Sequence, residues 1–228
     1  MIYTSPLKQK LFLNTLRLLA VVLREERKMI TKLKEKFQCW ITSEARMAHD
    51  IGFTPNQVST VGIMLAIFSA LAYLNWRSHP ILLMVAPIFL LASGFCDVLD
   101  GALARIYETT TTFGGYLDSL LDRYTDSIIF CSIMLGGLCD PLWGLMALIG
   151  SLLVSYARAR AEAVEVKMEG VGIAERAERL IILAMASFLS VAWSEALGWG
   201  IIVLAILTNL TVLQRMNHFR KVSRQKRE

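Results

Sequence analysis

Asp97, Asp100, Gly101, Ala104 and Arg105, in the stretch DVLDGALAR, follow i, i+3, i+4, i+7 and i+8 spacing, which places them on one face of a helix. In GGYLDSLLDRYTD, Gly114, Asp118, Asp122 and Asp126 are each four residues apart and form a second stripe. Two sequential, antiparallel helices can therefore bring two carboxylates each to one level. Ionised carboxylates crowded in a low dielectric repel one another and do not persist without cations. Oxygen-only donors select hard ions, and Mg²⁺ typically takes one or two carboxylates and completes its shell with phosphate oxygens and water. The pattern points to one or two divalent metals, Mg²⁺ with Mn²⁺ as a substitute, bound to a phosphorylated substrate. Gly101 and Gly114 leave room beside the carboxylates for a bulky ligand or for another backbone. Arg105 can neutralise a carboxylate or grip phosphate. Two other readings compete: a proton or cation pathway, and buried structural ion pairs made with Arg105 and Arg123.

The elements that carry these residues are membrane helices. The chain has 228 residues, 55% of them hydrophobic, and a mean hydropathy of +0.50, more than a soluble domain of this size needs for its core. Uncharged stretches run over 57–76, 80–96, 127–139, 141–157, 180–194 and 196–214, and a spanning helix needs about 20 largely apolar residues. The shorter stretches reach that length only if the charged segments at their ends (97–105, 118–126, 158–165 and 175–179) continue the helices. The fold class expected is an all-α integral membrane protein with six transmembrane helices. When span 1 starts from the cytoplasm, Arg77 is the single external residue among 24 Lys and Arg, a strong positive-inside bias. That asymmetry places both termini and the charged helix ends on the cytoplasmic side of a multi-pass cell-membrane protein. The four cysteines form no C-x-x-C pair and read as small apolar filling.

Residues 1–53 differ from the rest. LFLNTLRLLAVVL is interrupted by Asn14 and Arg17 and is followed by REERK, which argues against a cleaved signal peptide. Met29, Ile30, Leu33, Phe37, Trp40 and Ile41 share a helical stripe with lysines mostly off it, the pattern of an N-terminal amphipathic helix in an anionic interface. The expected organisation is this segment, a six-helix domain over 54–217, and a basic tail over 218–228. In a membrane setting the tail reads as an orientation and lipid-surface signal, not as a nucleic-acid patch. Thr54 or Asn56 can cap the first span.

The string from Asp97 to Asp122 resembles the CDP-alcohol phosphotransferase motif D-x2-D-G-x2-A-R-x8-G-x3-D-x3-D at every fixed position and gap. The six-span reading is similar to that family's core. The resemblance implies transfer of the phosphatidyl-type group of a CDP-linked lipid to an alcohol, with release of CMP. It implies metal and diphosphate ligation by Asp97, Asp100 and Asp118, with Asp122 as metal neighbour and general base. It implies a nucleotide site that includes Asn56, Gly101, Ala104, Arg105 and Gly114, and a homodimer.

Arg158 and Arg160 end span 4, Arg176 and Arg179 open span 5, and Arg215 ends span 6. A ring of guanidinium groups at one depth suits a phosphorylated acceptor. The alternative is that these arginines are orientation signals, with Arg176 and Arg179 paired to Glu175 and Glu178. The strings ARAEA, GIAERAERL and TVLQR resemble the inositol-phosphate branch of the family, although the first of these arginines is often lysine there. The resemblance implies inositol 1-phosphate as acceptor, ahead of glycerol-3-phosphate and then serine. A cation transporter would need polar residues through the full depth of the spans, and their outer halves carry almost none.

Overall fold

The computed structural model describes residues 38–168 and 170–225. Among them are seven helices and no strand: α1 (38–50), α2 (Pro55–Asn75), α3 (Leu82–Ile106), α4 (Thr112–Leu135), α5 (Pro141–Glu162), α6 (Arg176–Leu189) and α7 (Ala196–Gln225). Trp40 and Ile41 lie in α1, whereas Met29, Ile30, Leu33 and Phe37, which define most of the expected interfacial stripe, fall outside the described residues. The described residues divide at Gly52 and Phe53 into two units, and the second contains both aspartate stripes.

Six helices of that second unit form a closed ring in which each packs on two neighbours, in the order α2, α3, α6, α7, α5, α4 and back to α2. Four of them, α2, α3, α5 and α7, are long and apolar enough to cross a membrane. α4 has the length but carries the charged stripe, so composition alone does not mark it as a span. α6 has 14 residues and rises about 21 Å at 1.5 Å per residue, less than the roughly 30 Å hydrocarbon core. The uncharged stretch continues to 194, but the α6 helix stops at Leu189. There the Ser190 hydroxyl donates to the Ser187 carbonyl at 2.6 Å, and residues 190–195 turn.

The charged segments do continue the helices. Asp97 to Arg105 lies inside α3, Asp118 to Asp126 inside α4, and Arg158 to Glu162 at the end of α5. α6 opens on Arg176 with Glu175 at its N-cap. The first eight residues of the basic tail continue α7 through Gln225.

The packed interior lies toward the ring's other end. Tyr73, Leu90, Ile129, Ile133, Leu197, Ile201 and Leu204 pack in one buried cluster. Within this interior the Tyr73 hydroxyl shares a 2.6 Å hydrogen bond with that of Ser187, so a buried phenol is not left unpaired. Cys139 packs against the same cluster, and burial, with Asp140 adding to it, pushes its thiol up to about 11. It remains protonated at neutral pH, which agrees with its reading as apolar filling. Outward faces are apolar and exposed, as with Val61, Met64, Phe68 and Leu71 of α2, an area far larger than a water-soluble monomer leaves uncovered.

Close approach fixes the ring. A Cβ at Gly150 of α5 would lie 2.2 Å from Oγ1 and 2.8 Å from Cβ of Thr208 in α7. Thr208 is β-branched and buried, with its hydroxyl bonded to the Leu204 carbonyl, so it cannot move aside without cost. Gly150→Ala is expected to destabilise the purified protein by about 1–3 kcal/mol through overpacking. Gly198→Ala, whose Cβ would meet its nearest neighbour at an ordinary 3.6 Å, should be neutral or stabilise by up to about 1 kcal/mol. Thermal unfolding in detergent checks both, and equal melting temperatures would refute this account of the α5–α7 contact.

Candidate active site

The two aspartate-bearing helices do not pack directly against each other; both pack on α2, which stands between them. α2 begins with a capping box: the Thr54 hydroxyl accepts from the Gln57 N–H at 3.4 Å, and the Gln57 side chain accepts from the Thr54 N–H at 2.9 Å. Pro55 occupies the first helical turn, where a missing N–H costs nothing. Because Thr54 is the cap, Asn56 is free for other work. Thr111 caps α4 by accepting from the Gly114 N–H at 2.9 Å, with the intervening turn passing through Glu108 at φ +52°.

Asp97 and Asp100 of α3 and Asp118 of α4 each present a carboxylate oxygen to one point, all within 4.8 Å of one another. Asp100 is 6% exposed and accepts a short hydrogen bond from the Ser59 hydroxyl of α2. Three hard oxygen donors converging in this way suit Mg²⁺ or Mn²⁺ and suit no soft metal.

Asp122 is drawn elsewhere. One oxygen lies 2.6 Å from Nη1 of Arg176, the same nitrogen that pairs with Asp97. Arg123, considered as a structural partner for the stripe, donates from Nη1 to the Ser119 carbonyl and lies 3.5 Å from the other oxygen of Asp122. Asp126, one turn further, is paired with Arg179 at 2.7 Å, and the two side chains are 9% and 5% exposed. The α4 stripe thus descends from the exposed Asp118 through half-buried Asp122 to a sealed ion pair.

Two clefts meet here. One, about 300 Å³ with its open mouth counted, holds Asp97, Asp100, Asp118, Asp122 and Arg176. The other, about 660 Å³ with its mouth counted, is lined by Asn56, Gly101, Ala104, Arg105, Gly114 and Thr109 to Thr111, and it shares Ser59, Asp100 and Asp118 with the first. Every residue expected at a nucleotide site lines the larger cleft except Asp97, which lines the smaller. A Cβ at Gly101 would meet only Arg105, at 3.6 Å, so no other backbone approaches it and the space beside it is open. At Gly114 an added Cβ would come 2.9 Å from the capping Oγ1 of Thr111. Ser59 and the threonines were not singled out from sequence. Ser59 was detectable, since it follows Asn56 by three residues on the same helical face.

The five arginines do not form one open ring. Arg158 and Arg160 are exposed, with Arg158 paired to Glu162 at 2.9 Å. Arg176 bridges the aspartates. Arg215, 2% exposed, donates from Nη1 to the Val154 carbonyl at 2.6 Å and from Nε to the Val171 carbonyl at 2.8 Å, and its Nη2 lies 3.5 Å from Glu175. The alternative pairing of Arg176 and Arg179 with Glu175 and Glu178 is not what is found, because the aspartates of α3 and α4 take both.

A helical ring with a converging aspartate cluster and a cleft beside it fits a metal-binding membrane enzyme. Residues 53–212 match the family described as CDP-alcohol phosphatidyltransferase, and the chain belongs to that family. It is 36% identical over 193 residues to an archaetidylinositol phosphate synthase of Pyrococcus horikoshii, covering 85% of this chain and 97% of that one. It is 42% identical over 173 residues to one of Methanothermobacter thermautotrophicus, covering 75% and 85%. The crystal structure of a Mycobacterium tuberculosis phosphatidylinositol phosphate synthase with CDP-DAG bound superposes with a TM-score of 0.65 at 31% identity, covering 78% of this chain and 92% of that one. The same protein has been solved in complex with manganese and citrate. The chain is a transferase of phospholipid biosynthesis.

The bonds of Arg215 tie the 163–175 connection to α5 and α7. Arg215→Leu is expected to remove both charge-assisted bonds to the Val154 and Val171 carbonyls, each worth about 1.5–3 kcal/mol, and to speed proteolysis within 163–175. Unchanged cleavage would show that Arg215 does not anchor the connection.

Proposed function

We propose that this enzyme transfers the phosphatidyl-type group of a CDP-linked lipid to inositol 1-phosphate and releases CMP. The observation that carries this reading is the pairing of a three-carboxylate cluster with an adjoining cleft lined by Asn56, Gly101 and Arg105; the family and the named relatives support the substrate class. Asp97, Asp100 and Asp118, with Asp122 beside them, hold Mg²⁺, or Mn²⁺ in its place. A cation bound there offsets charge on the diphosphate and on the departing CMP. Arg105, reaching back over Gly101, and Asn56 hold the nucleotide part.

The inositol hydroxyl attacks the phosphorus bonded to the lipid, the bond from that phosphorus to the CMP oxygen breaks, and the hydroxyl proton passes to Asp122. An alcohol is a weak nucleophile at neutral pH, so a carboxylate within reach of its proton is needed. Arg158, Arg160, Arg176, Arg179 and Arg215 make up the cationic wall for the acceptor phosphate. Within it Arg176 and the exposed pair Arg158 and Arg160 offer contacts, while Arg179 and Arg215 hold the wall's shape from behind.

The domain over 54–217 crosses the membrane six times as a homodimer, with both termini and the site on the cytoplasmic side. There a lipid donor and a polar acceptor can meet. In this topology α4 and α6 are spans completed by their neighbours, because carboxylates and arginines are tolerated where they pair inside the bundle.

A membrane assay of CMP release tests the reading. Activity should disappear on chelation and return with Mg²⁺ or Mn²⁺. Asp122→Asn should lower kcat by about 10²-fold or more while CDP-lipid still binds. Inositol 1-phosphate should far outpace free inositol, which offers these arginines no anion to bind. Equal rates with the two would overturn the acceptor assignment, and faster release with glycerol-3-phosphate would replace it.

A further inference from the structure

Asp126 stands one helical turn beyond Asp122 on α4, outside both the motif and the metal cluster. Its Oδ2 is fixed by Arg179 at 2.7 Å, in a pair sealed from solvent. Its Oδ1 lies 3.9 Å from Nε of Arg176, and that Nε is buried without a hydrogen-bond partner. Nη1 of Arg176 meanwhile pairs with Asp97 and Asp122. A buried guanidinium N–H held just beyond bonding distance of an immobilised carboxylate is a contact that a small motion completes.

Asp97 cannot serve two cations equally. It belongs to the cluster that fits a divalent ion and also to the Arg176 pair. Asp122 is held by the same guanidinium, and a carboxylate so paired is a poor proton acceptor. Cation binding at Asp97 therefore displaces a guanidinium that keeps its charge at any physiological pH and needs another anion in a low-dielectric setting. Arg176 is faced from α3 by Asp97 and from α4 by Asp118, Asp122 and Asp126. Of these, Asp126 alone is neither a metal-cluster ligand nor the proposed base.

We propose that Asp126, fixed by Arg179, is a positioning residue that receives Arg176 when a divalent cation engages Asp97, so that the guanidinium leaves the metal ligands yet stays at the wall facing the acceptor phosphate. The proposal rests on the reading of Asp97 as a metal ligand and of Arg176 as an acceptor contact. It makes cation loading and acceptor recognition two ends of one side-chain movement.

The test uses the full chain in lipid nanodiscs. Mn²⁺ binding is followed by the electron paramagnetic resonance of free Mn²⁺, and KM is measured separately for inositol 1-phosphate and CDP-lipid. Asp126→Asn keeps an acceptor for Arg179 but offers Arg176 no charge. It should weaken Mn²⁺ binding about five- to tenfold, within the range for coupled charged neighbours, and raise KM for inositol 1-phosphate with that for CDP-lipid little changed. In an Arg176→Gln background the same substitution should move the Mn²⁺ Kd by less than about twofold, since no guanidinium remains to be received. Asp126→Glu should restore both readouts. If Asp126→Asn does not fold, Asp126→Asn with Arg179→Gln removes the buried pair together and should show the same weakening of Mn²⁺ binding. Unchanged Mn²⁺ affinity in Asp126→Asn, or equal weakening with and without Arg176, would overturn the proposal. Wild-type Mn²⁺ affinity in Asp97→Asn would instead sink the metal assignment beneath it.

Discussion

Concentrated negative charge within an apolar bundle is the constraint on which this structure turns. α3 and α4 carry five aspartates into the space around α2, and all but Asp118 are partly or wholly withdrawn from solvent. Each must have a cation or a donor, because an isolated carboxylate in such surroundings costs many kcal/mol. The fold answers with Ser59 on Asp100, Arg176 between Asp97 and Asp122, and Arg179 on Asp126. What those groups leave over, at Asp97, Asp100 and Asp118, is a cluster of carboxylate oxygens that could hold a divalent ion. α6 starts on an arginine because that end of the helix faces the aspartates, and its neighbour in the ring is α3.

Ring order explains why the site opens as it does. Had α3 and α4 packed directly on each other, side chains would have filled the gap between the stripes. With α2 set between them, the carboxylates meet across a gap that widens toward the start of α2, where Asn56 and the capped ends of two helices form the larger cleft. Ser59, Asp100 and Asp118 border both clefts. In the proposed reading a diphosphate lies at this shared border, against the aspartate cluster, with its nucleoside toward Arg105 and Gly114.

Much of this was legible in the sequence, for a physical reason. A four-residue repeat of Asp in a helical setting admits one face only, so Asp118, Asp122 and Asp126 had to share a stripe, and Asp97 to Arg105 likewise. The continuation of helices through charged segments followed from span length. What sequence left open was rotation and neighbour order. Spacing places Arg176 and Arg179 at a helix start, and it cannot say that this start faces α3 and α4 instead of solvent. It therefore left an acceptor phosphate, or else Glu175 and Glu178, as their partners. Arg215 has the same limitation: its depth was evident, but its commitment to the Val154 and Val171 carbonyls depends on how the 163–175 connection folds back over α7. The end of α6 at Leu189 was hidden too, since VAWSEA carries no proline or glycine to announce a stop.

One residue type at one spacing meets three environments along α4, and depth alone separates them. Asp118, exposed to the cleft, keeps lone pairs free for a cation. Asp122, half-buried, shares the Arg176 guanidinium with Asp97, and in the proposed mechanism it must give up that partner to accept a proton. Asp126, sealed with Arg179, is too deep to exchange its partner, since breaking such a pair leaves an uncompensated charge at a cost of about 3–5 kcal/mol. The gradient places the fixed charge at the bottom and the exchangeable charges above it. Arg176 spans the boundary, with Nη1 on the exchangeable carboxylates and Nε turned toward the fixed one.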